Sequence, residues 1–245
     1  MNSIEVCFSP ALFRYKTTSD NCCVVVVDVL RATTAFCAAF DSGISTIIPV
    51  PGLEELKEFK HRGDLTAAER DGKKVDFAEF GNSPSVFLRA SLTGRNLAYS
   101  TTNGTQAVEM AKASGCITAA SFSNLSAISG WLSIEQKNIV ILCSGWKNTF
   151  SLEDSLCAGA LVEILEETGK FARICDAAEA ALNLWNQSKQ DLPGAVKSAS
   201  HYQRLLAMGL NEDLRYCFLL NTSKAIPVWD GIGFRDISVN QDVAI

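Results

Sequence analysis

Apolar and polar residues follow one another in blocks along this chain. A short apolar run ends in a cluster of Ser, Thr, Asn, Gly or Asp, and a helix-like segment follows. CCVVVV (22–27) is a continuous run rich in β-branched residues, as in a strand covered on both faces. DVLRATTAFCAAFDSG reads as a loop and a helix closing at Gly43. STIIPV is the next strand and GLEELKEFKHRG the next helix. DLTAAER and NLAYS read as strands, and TTNGTQAVEMAKASG as a loop and helix. CITAAS leads into NLSAISGWLS, and NIVILCSG into SLEDSLCAGALVEILEETG. This alternation predicts an α/β fold: a mostly parallel sheet with helices on both faces. In such sheets ligands lie beyond the carboxyl ends of the strands, so the polar clusters are expected to share one rim.

From about Phe171 the pattern changes. DAAEAALNLWNQS, AVKSASHYQRLLAMG and EDLRYCFLLN read as helices, a cover or lobe over about 171–225 of a single 1–245 domain. AIPVWDGIGF reads as an edge strand or covering loop, because Pro227 bars a central strand.

Composition narrows the class. The 245 residues are 47% hydrophobic and 20% charged, as in a globular protein, and they suffice for a large core. No apolar run approaches the ~20 residues needed to cross a bilayer, and the N-terminus lacks the layout of a signal peptide. The nine cysteines are odd in number, form no C-x-x-C pair and lie largely in apolar runs. They read as free thiols in a reducing, cytoplasmic compartment. A net charge of −5 without a basic stripe argues against nucleic acid. A small anionic ligand would need local cations, helix N-termini or a metal.

Four segments carry candidate chemistry. Asp28 ends the valine strand, where a partly desolvated carboxylate can hold a metal, act as nucleophile or cap a helix. Arg31 follows three residues on and can clamp an anion bidentately. Haloacid-dehalogenase phosphatases also place an Asp after such a strand, but with a second Asp two residues later. Here that position is Leu30, which argues against that family. In AERDGKKVDFAEFGNSP, Glu69 is a second candidate ligand and Arg70 a second clamp. Asn82 and Ser83 open a turn whose Ser83 reads as an N-cap before Pro84. In STTNGTQAV, the residues Thr102, Asn103, Gly104 and Thr105 sit at a helix start suited to a phosphate, although no Walker loop is present. In CSGWKNTFSLEDSLCAG, Ser151 and Asp154 have capping-box-like spacing. Glu153 or Asp154 is the alternative metal ligand there, Cys143 reads as a buried thiol, and Lys147 as a mobile cation over the site. His201 and Arg204, one helical turn apart, read as a surface pair or as residues reaching the substrate from the cover.

DVLRATT, AERDGKK, FGNSP, STTNG and SLEDSLCAG, in this order and at these intervals, resemble the 2-phosphosulfolactate phosphatase family over roughly residues 5–235. Each motif is weak alone; the ordered set is specific. The resemblance implies a three-layer α/β/α fold with a mostly parallel or mixed sheet. It also implies a homo-oligomer, and Mg²⁺-dependent hydrolysis of 2-phospho-3-sulfolactate, a step toward coenzyme M. Carried onto this sequence, Mg²⁺ would be held by one or more of Asp28, Glu69, Glu153 and Asp154. The anionic oxygens would meet Arg31 and Arg70, with Asn82, Ser83, Thr102, Asn103, Gly104, Thr105, Ser144, Gly145 and Lys147 around them. Two departures bear on the substrate. Ala68 stands where family members commonly have Gly, and C-S-G-W-K-N replaces C-A-G-x-x-G. The alternatives are a phosphatase for another small phosphorylated hydroxy acid and a metal-dependent module that binds an anionic metabolite without turnover.

Overall fold

The computed structural model describes residues 1–16 and 19–238. Its strands are β1 (Asn2–Cys7), β2 (Cys22–Val27), β3 (Thr46–Pro49), β4 (Leu65–Arg70), β5 (Lys73–Lys74), β6 (Asn96–Ser100), β7 (Cys116–Ala120), β8 (Asn138–Cys143), β9 (Phe171–Arg173), β10 (Pro227–Trp229) and β11 (Phe234–Asp236). They form one mixed sheet in the order β5-β4-β6-β3-β11-β10-β7-β2-β8-β1-β9.

The valine run behaves as its composition dictates. Every residue of β2 is buried, and successive side chains point to opposite faces. Cys23, Val25 and Val27 enter one core with helices Leu125–Glu135, Leu152–Glu167 and Asp176–Ser188. Val24 and Val26 enter another with helices Ala32–Asp41 and Gly104–Ala111. The layering is therefore α/β/α, as expected. The Ala32–Asp41 helix is rich in small residues and lies close against its neighbours, with nine of its ten residues buried. It stops at Gly43, whose φ of +90° suits glycine, and a Cβ there would meet Thr93 Oγ1 at 2.8 Å.

Within the sheet are two parallel blocks. One contains β4, β6 and β3; the other contains β7, β2, β8, β1 and β9. Between them lies the β10–β11 hairpin, antiparallel to both neighbours. Three successive antiparallel pairings make the blocks run in opposite directions along the ladder. The sheet is mixed, as expected, and the polar strand-end loops do meet, from two blocks of opposite polarity. Each junction is a single residue pair, Val228↔Thr118 and Phe234↔Ile47, so twist accumulates there with little ladder to resist it.

The late apolar stretch is the clearest departure from expectation. It is neither an edge strand nor a covering loop but lies in the middle of the sheet. Pro227 is tolerated because it is the first residue of its strand, where its missing N–H breaks no ladder. Its carbonyl accepts from Thr118 Oγ1 at 2.6 Å. The change of pattern at Phe171 begins with a strand, β9, paired to β1. The anticipated helix 195–209 is two helices, Leu192–Val196 and Ser200–Ala207. Among the described residues no helix is long and apolar enough to cross a membrane.

Candidate active site

The loops after β2, β4, β6 and β8 meet helix Ser200–Ala207 around a narrow, partly enclosed cavity. Six of the residues singled out in the sequence line it: Asp28, Arg31, Glu69, Asn82, Thr102 and Asn103.

Asp28 leaves β2 and is 6% exposed. The loop is tied by Thr33, whose hydroxyl donates to the Asp28 carbonyl at 2.9 Å and accepts from the Asp28 amide at 3.0 Å. The carboxylate itself is sparsely served. Oδ1 accepts from the Ala32 amide at 3.2 Å, and Oδ2 accepts no hydrogen bond among the described residues. Burial raises the pKa to about 6, and the Glu69 and Glu153 charges add to this. His201 and the Ala32 amide pull the other way. Gly104 makes room for this carboxylate: a Cβ there would lie 3.0 Å from Asp28 Oδ2 and 2.8 Å from the Ala32 Cβ. Gly104 is thus a spacer behind Asp28 and does not line the cavity.

Glu69, at the end of β4, is held differently. Oε1 accepts from the Thr102 amide at 2.9 Å and Oε2 from the Gly72 amide at 2.6 Å. One carboxylate thereby fastens two loops.

Both arginines have partners within the fold. Arg31 is buried, donating to Asp213 Oδ2 at 2.5 Å and to the Gly72 carbonyl at 3.2 Å. Asp213 also accepts from Ser83 at 2.6 Å and from Ser85. Ser83 is therefore an Asp213 partner, and its side chain caps nothing. Arg70 lies outside the cavity lining. Its guanidinium donates to the carbonyls of Glu69 and Ser100 at 2.7 and 3.2 Å and to Ser100 Oγ at 2.9 Å.

The two acids of helix Leu152–Glu167 also have other work. Ser151 caps the helix by accepting from the Asp154 amide at 3.3 Å. The Asp154 side chain does not close a capping box. It accepts from the amides of Val29 at 2.8 Å and Gly145 at 3.0 Å, joining the loops after β2 and β8. Burial, then the Glu153 and Asp28 charges, push its pKa well above the usual carboxylate range. Glu153 is buried against His201, Oε1 to Nδ1 at 2.8 Å. Neither acid lines the cavity, and among the described residues no three His, Cys, Asp or Glu side chains form a metal-like cluster. Of the four candidate acids, Asp28 and Glu69 line the cavity.

The remaining residues play supporting roles. Thr105 bonds within its own turn to Thr101. Ser144 donates its amide to Val27 and does not line the cavity. Gly145, at φ +62°, makes a turn in which a Cβ would sit 2.1 Å from the Thr149 carbonyl. Lys147 is exposed, its amide bonding Asn103 Oδ1 at 3.2 Å. Cys143 is a buried thiol, as expected.

His201 and Arg204 overturn the surface reading. Both line the cavity, and His201 is buried. Sequence reasoning missed Asp213, whereas Trp146, within the departing C-S-G-W-K-N segment, does line the cavity. The i, i+3 spacing places His201 and Arg204 on one helix face, but nothing in the sequence says which face is turned inward.

The fold and this cavity define an α/β protein whose polar cleft sets carboxylates against an arginine and a histidine. A family profile described as 2-phosphosulpholactate phosphatase matches residues 7–231. A relative from Microcystis aeruginosa is 36% identical over 226 residues, 90% of this chain and 93% of its own. One from Thermotoga maritima is 36% identical over 203 residues, 83% and 87% of the two chains. One from Synechocystis is 39% identical over 201 residues, 80% and 83%. Each carries the name "Probable 2-phosphosulfolactate phosphatase". The chain belongs to the 2-phosphosulpholactate phosphatase family, and with it to the phosphoric monoester hydrolases.

Proposed function

We propose that the protein hydrolyses 2-phospho-3-sulfolactate to 3-sulfolactate and phosphate with Mg²⁺, the reaction associated with coenzyme M synthesis. The observation that carries this reading, beside the family, is the pair Asp28 and Glu69 in one cavity, with Asp28 Oδ2 served by no donor among the described residues.

The donor set fits magnesium. Asp28, Glu69 and the buried Asn82 Oδ1, which has no hydrogen-bond partner, are hard oxygen donors. Magnesium takes one or two carboxylates and completes its shell with water and phosphate. Asp28 and Glu69 would hold it, with Asn82 beside them. Bound there, it would polarise the phosphoryl oxygens and offset the charge that grows as the P–O bond breaks.

The chain's own groups do the rest. Asp28 is either the attacking carboxylate or the group that positions an attacking water. The Thr101 and Thr102 amides already serve Thr105 and Glu69, which leaves the Asn103 amide as this loop's donor to the phosphate beside it. His201, with Nδ1 engaged by Glu153, has Nε2 left to deliver a proton to the departing alkoxide. Nine free cysteines fit a reducing, cytoplasmic setting.

The test is phosphate release from 2-phospho-3-sulfolactate by purified protein, with Mg²⁺ and with EDTA. Release abolished by EDTA supports ester and metal together. No release by folded protein with Mg²⁺ rejects this ester. Acid quenching during turnover, followed by mass spectrometry of the Asp28 peptide, separates the two roles of Asp28: a phosphorylated peptide means direct attack.

A further inference from the structure

We infer that Arg204, braced on Trp146, is the specificity-determining residue that receives the substrate's second anionic group. This rests on the phosphomonoesterase reading above and extends it to the end of the substrate remote from the phosphorus.

The argument is one of elimination among cations. Arg31 lines the cavity but is buried and already neutralised by Asp213 at 2.5 Å. Arg70 is committed to Glu69 and Ser100 and does not line the cavity. Lys147 is exposed and also outside the lining. His201 is engaged by Glu153. Arg204 lines the cavity, and its side chain makes no hydrogen bond or ion pair among the described residues. Its Nε is buried without a partner. A guanidinium left in that state is destabilising, and a ligand anion removes the cost.

Its support suits that task. The guanidinium carbon lies 5.2 Å from the centre of the Trp146 ring. On the other side of the account, Trp146 is itself stacked near His201, with centroids 6.2 Å apart and planes 20° from parallel. A cation–π contact steadies the guanidinium without consuming its N–H groups. The fork stays available for two oxygens of one carboxylate or sulfonate.

Charge fixes the orientation. Asp28 and Glu69 repel any anion not shielded by a cation, so the phosphate belongs with them only when Mg²⁺ is bound. A second anion on the same molecule is driven toward Arg204. The substrate class is thus a small phosphate monoester with a second strong anion, either carboxylate or sulfonate.

The experiment compares wild type with Arg204→Gln and Arg204→Lys on four esters. These are 2-phospho-3-sulfolactate, 2-phospholactate (no sulfonate), the corresponding carboxylate-free sulfonate, and isopropyl phosphate (neither anion). Arg204→Gln should raise KM for 2-phospho-3-sulfolactate by about 10- to 100-fold, the range of one charged hydrogen-bonded contact. It should leave kcat/KM for isopropyl phosphate within about twofold, and Arg204→Lys should lie between. Whichever mono-anionic ester keeps the penalty names the group Arg204 receives. Equal losses on all four esters would overturn the proposal. Calorimetric binding of the product 3-sulfolactate to the same variants needs no turnover. Weaker binding to Arg204→Gln supports the proposal even if wild type releases no phosphate, whereas unchanged binding overturns it.

Discussion

The two parallel blocks of the sheet each deliver one carboxylate to the cavity from a strand end, yet the two acids do opposite jobs. Asp28 comes from β2, in the five-strand block, with large cores on both faces. Glu69 comes from β4, second from the sheet edge, where Ala67 joins one of those large cores and Ala68 a small cluster that includes Leu56 and Ala98. Where packing already holds the strand end, the carboxylate can be left poorly solvated and free for chemistry. Nearer the sheet edge, the carboxylate is itself a fastener, bonded to the Gly72 and Thr102 amides. One acid is left underserved by its surroundings, whereas the other ties two loops together while facing the same cavity.

Removing the Asp28 charge gives the sharpest test of this contrast. Asp28→Asn should lower phosphate release by at least about 1,000-fold, as expected for loss of a group acting on the reacting phosphate. The same change should stabilise the metal-free protein. The folded pKa of about 6 lies above the ordinary 3.8, so the folded state binds this proton more tightly. The charge therefore costs stability as pH rises from about 4 to 6 and stays costly above. Melting in EDTA should favour the variant by about 1–3 kcal/mol at pH 8 and show no gain near pH 4. A destabilised Asp28→Asn at pH 8 would break the comparison.

Asp213→Ala leaves Arg31 buried and unpaired, and should cost about 3–5 kcal/mol in denaturant unfolding. Glu69→Gln should destabilise, by about 1.5–3 kcal/mol, through loss of charged acceptors for two amides. If Glu69→Gln instead raised stability, Glu69 would be a second Asp28 and the contrast would fail. Gly104→Ala should cost about 1–3 kcal/mol by overpacking against Ala32 and Asp28, with the loss of turnover exceeding that at an exposed control such as Lys112→Ala. The smallest effect is on metal affinity. Below pH 6 a proton competes at Asp28, so calorimetric Mg²⁺ affinity should fall by up to about tenfold per pH unit.

Much of this was legible in the chain. The strand–loop–helix rhythm gave itself away because β2 is an unbroken buried run and because Gly43 closes its helix at positive φ. Asp28 and Glu69 were found because strand ends were sought. The rest depended on facts a linear pattern does not hold. Pro227 excluded a central strand only if its strand were long; in three residues it starts the strand and breaks nothing. The polarity of the two blocks is set by a hairpin at the far end of the chain. Arg31 and Arg70 look alike in sequence to Arg204, and only their partners, Asp213 and Ser100, separate a committed guanidinium from an available one.

That hairpin also has a consequence for how the chain is made. The two strands at the centre of the sheet, residues 227–236, leave the ribosome after all nine others. Until they arrive, β3 and β7 present bare edges to the cell, each able to pair with a neighbouring nascent chain. A premature stop near codon 220 would therefore produce aggregating protein, and a molecular chaperone would have most to guard until that hairpin has been made.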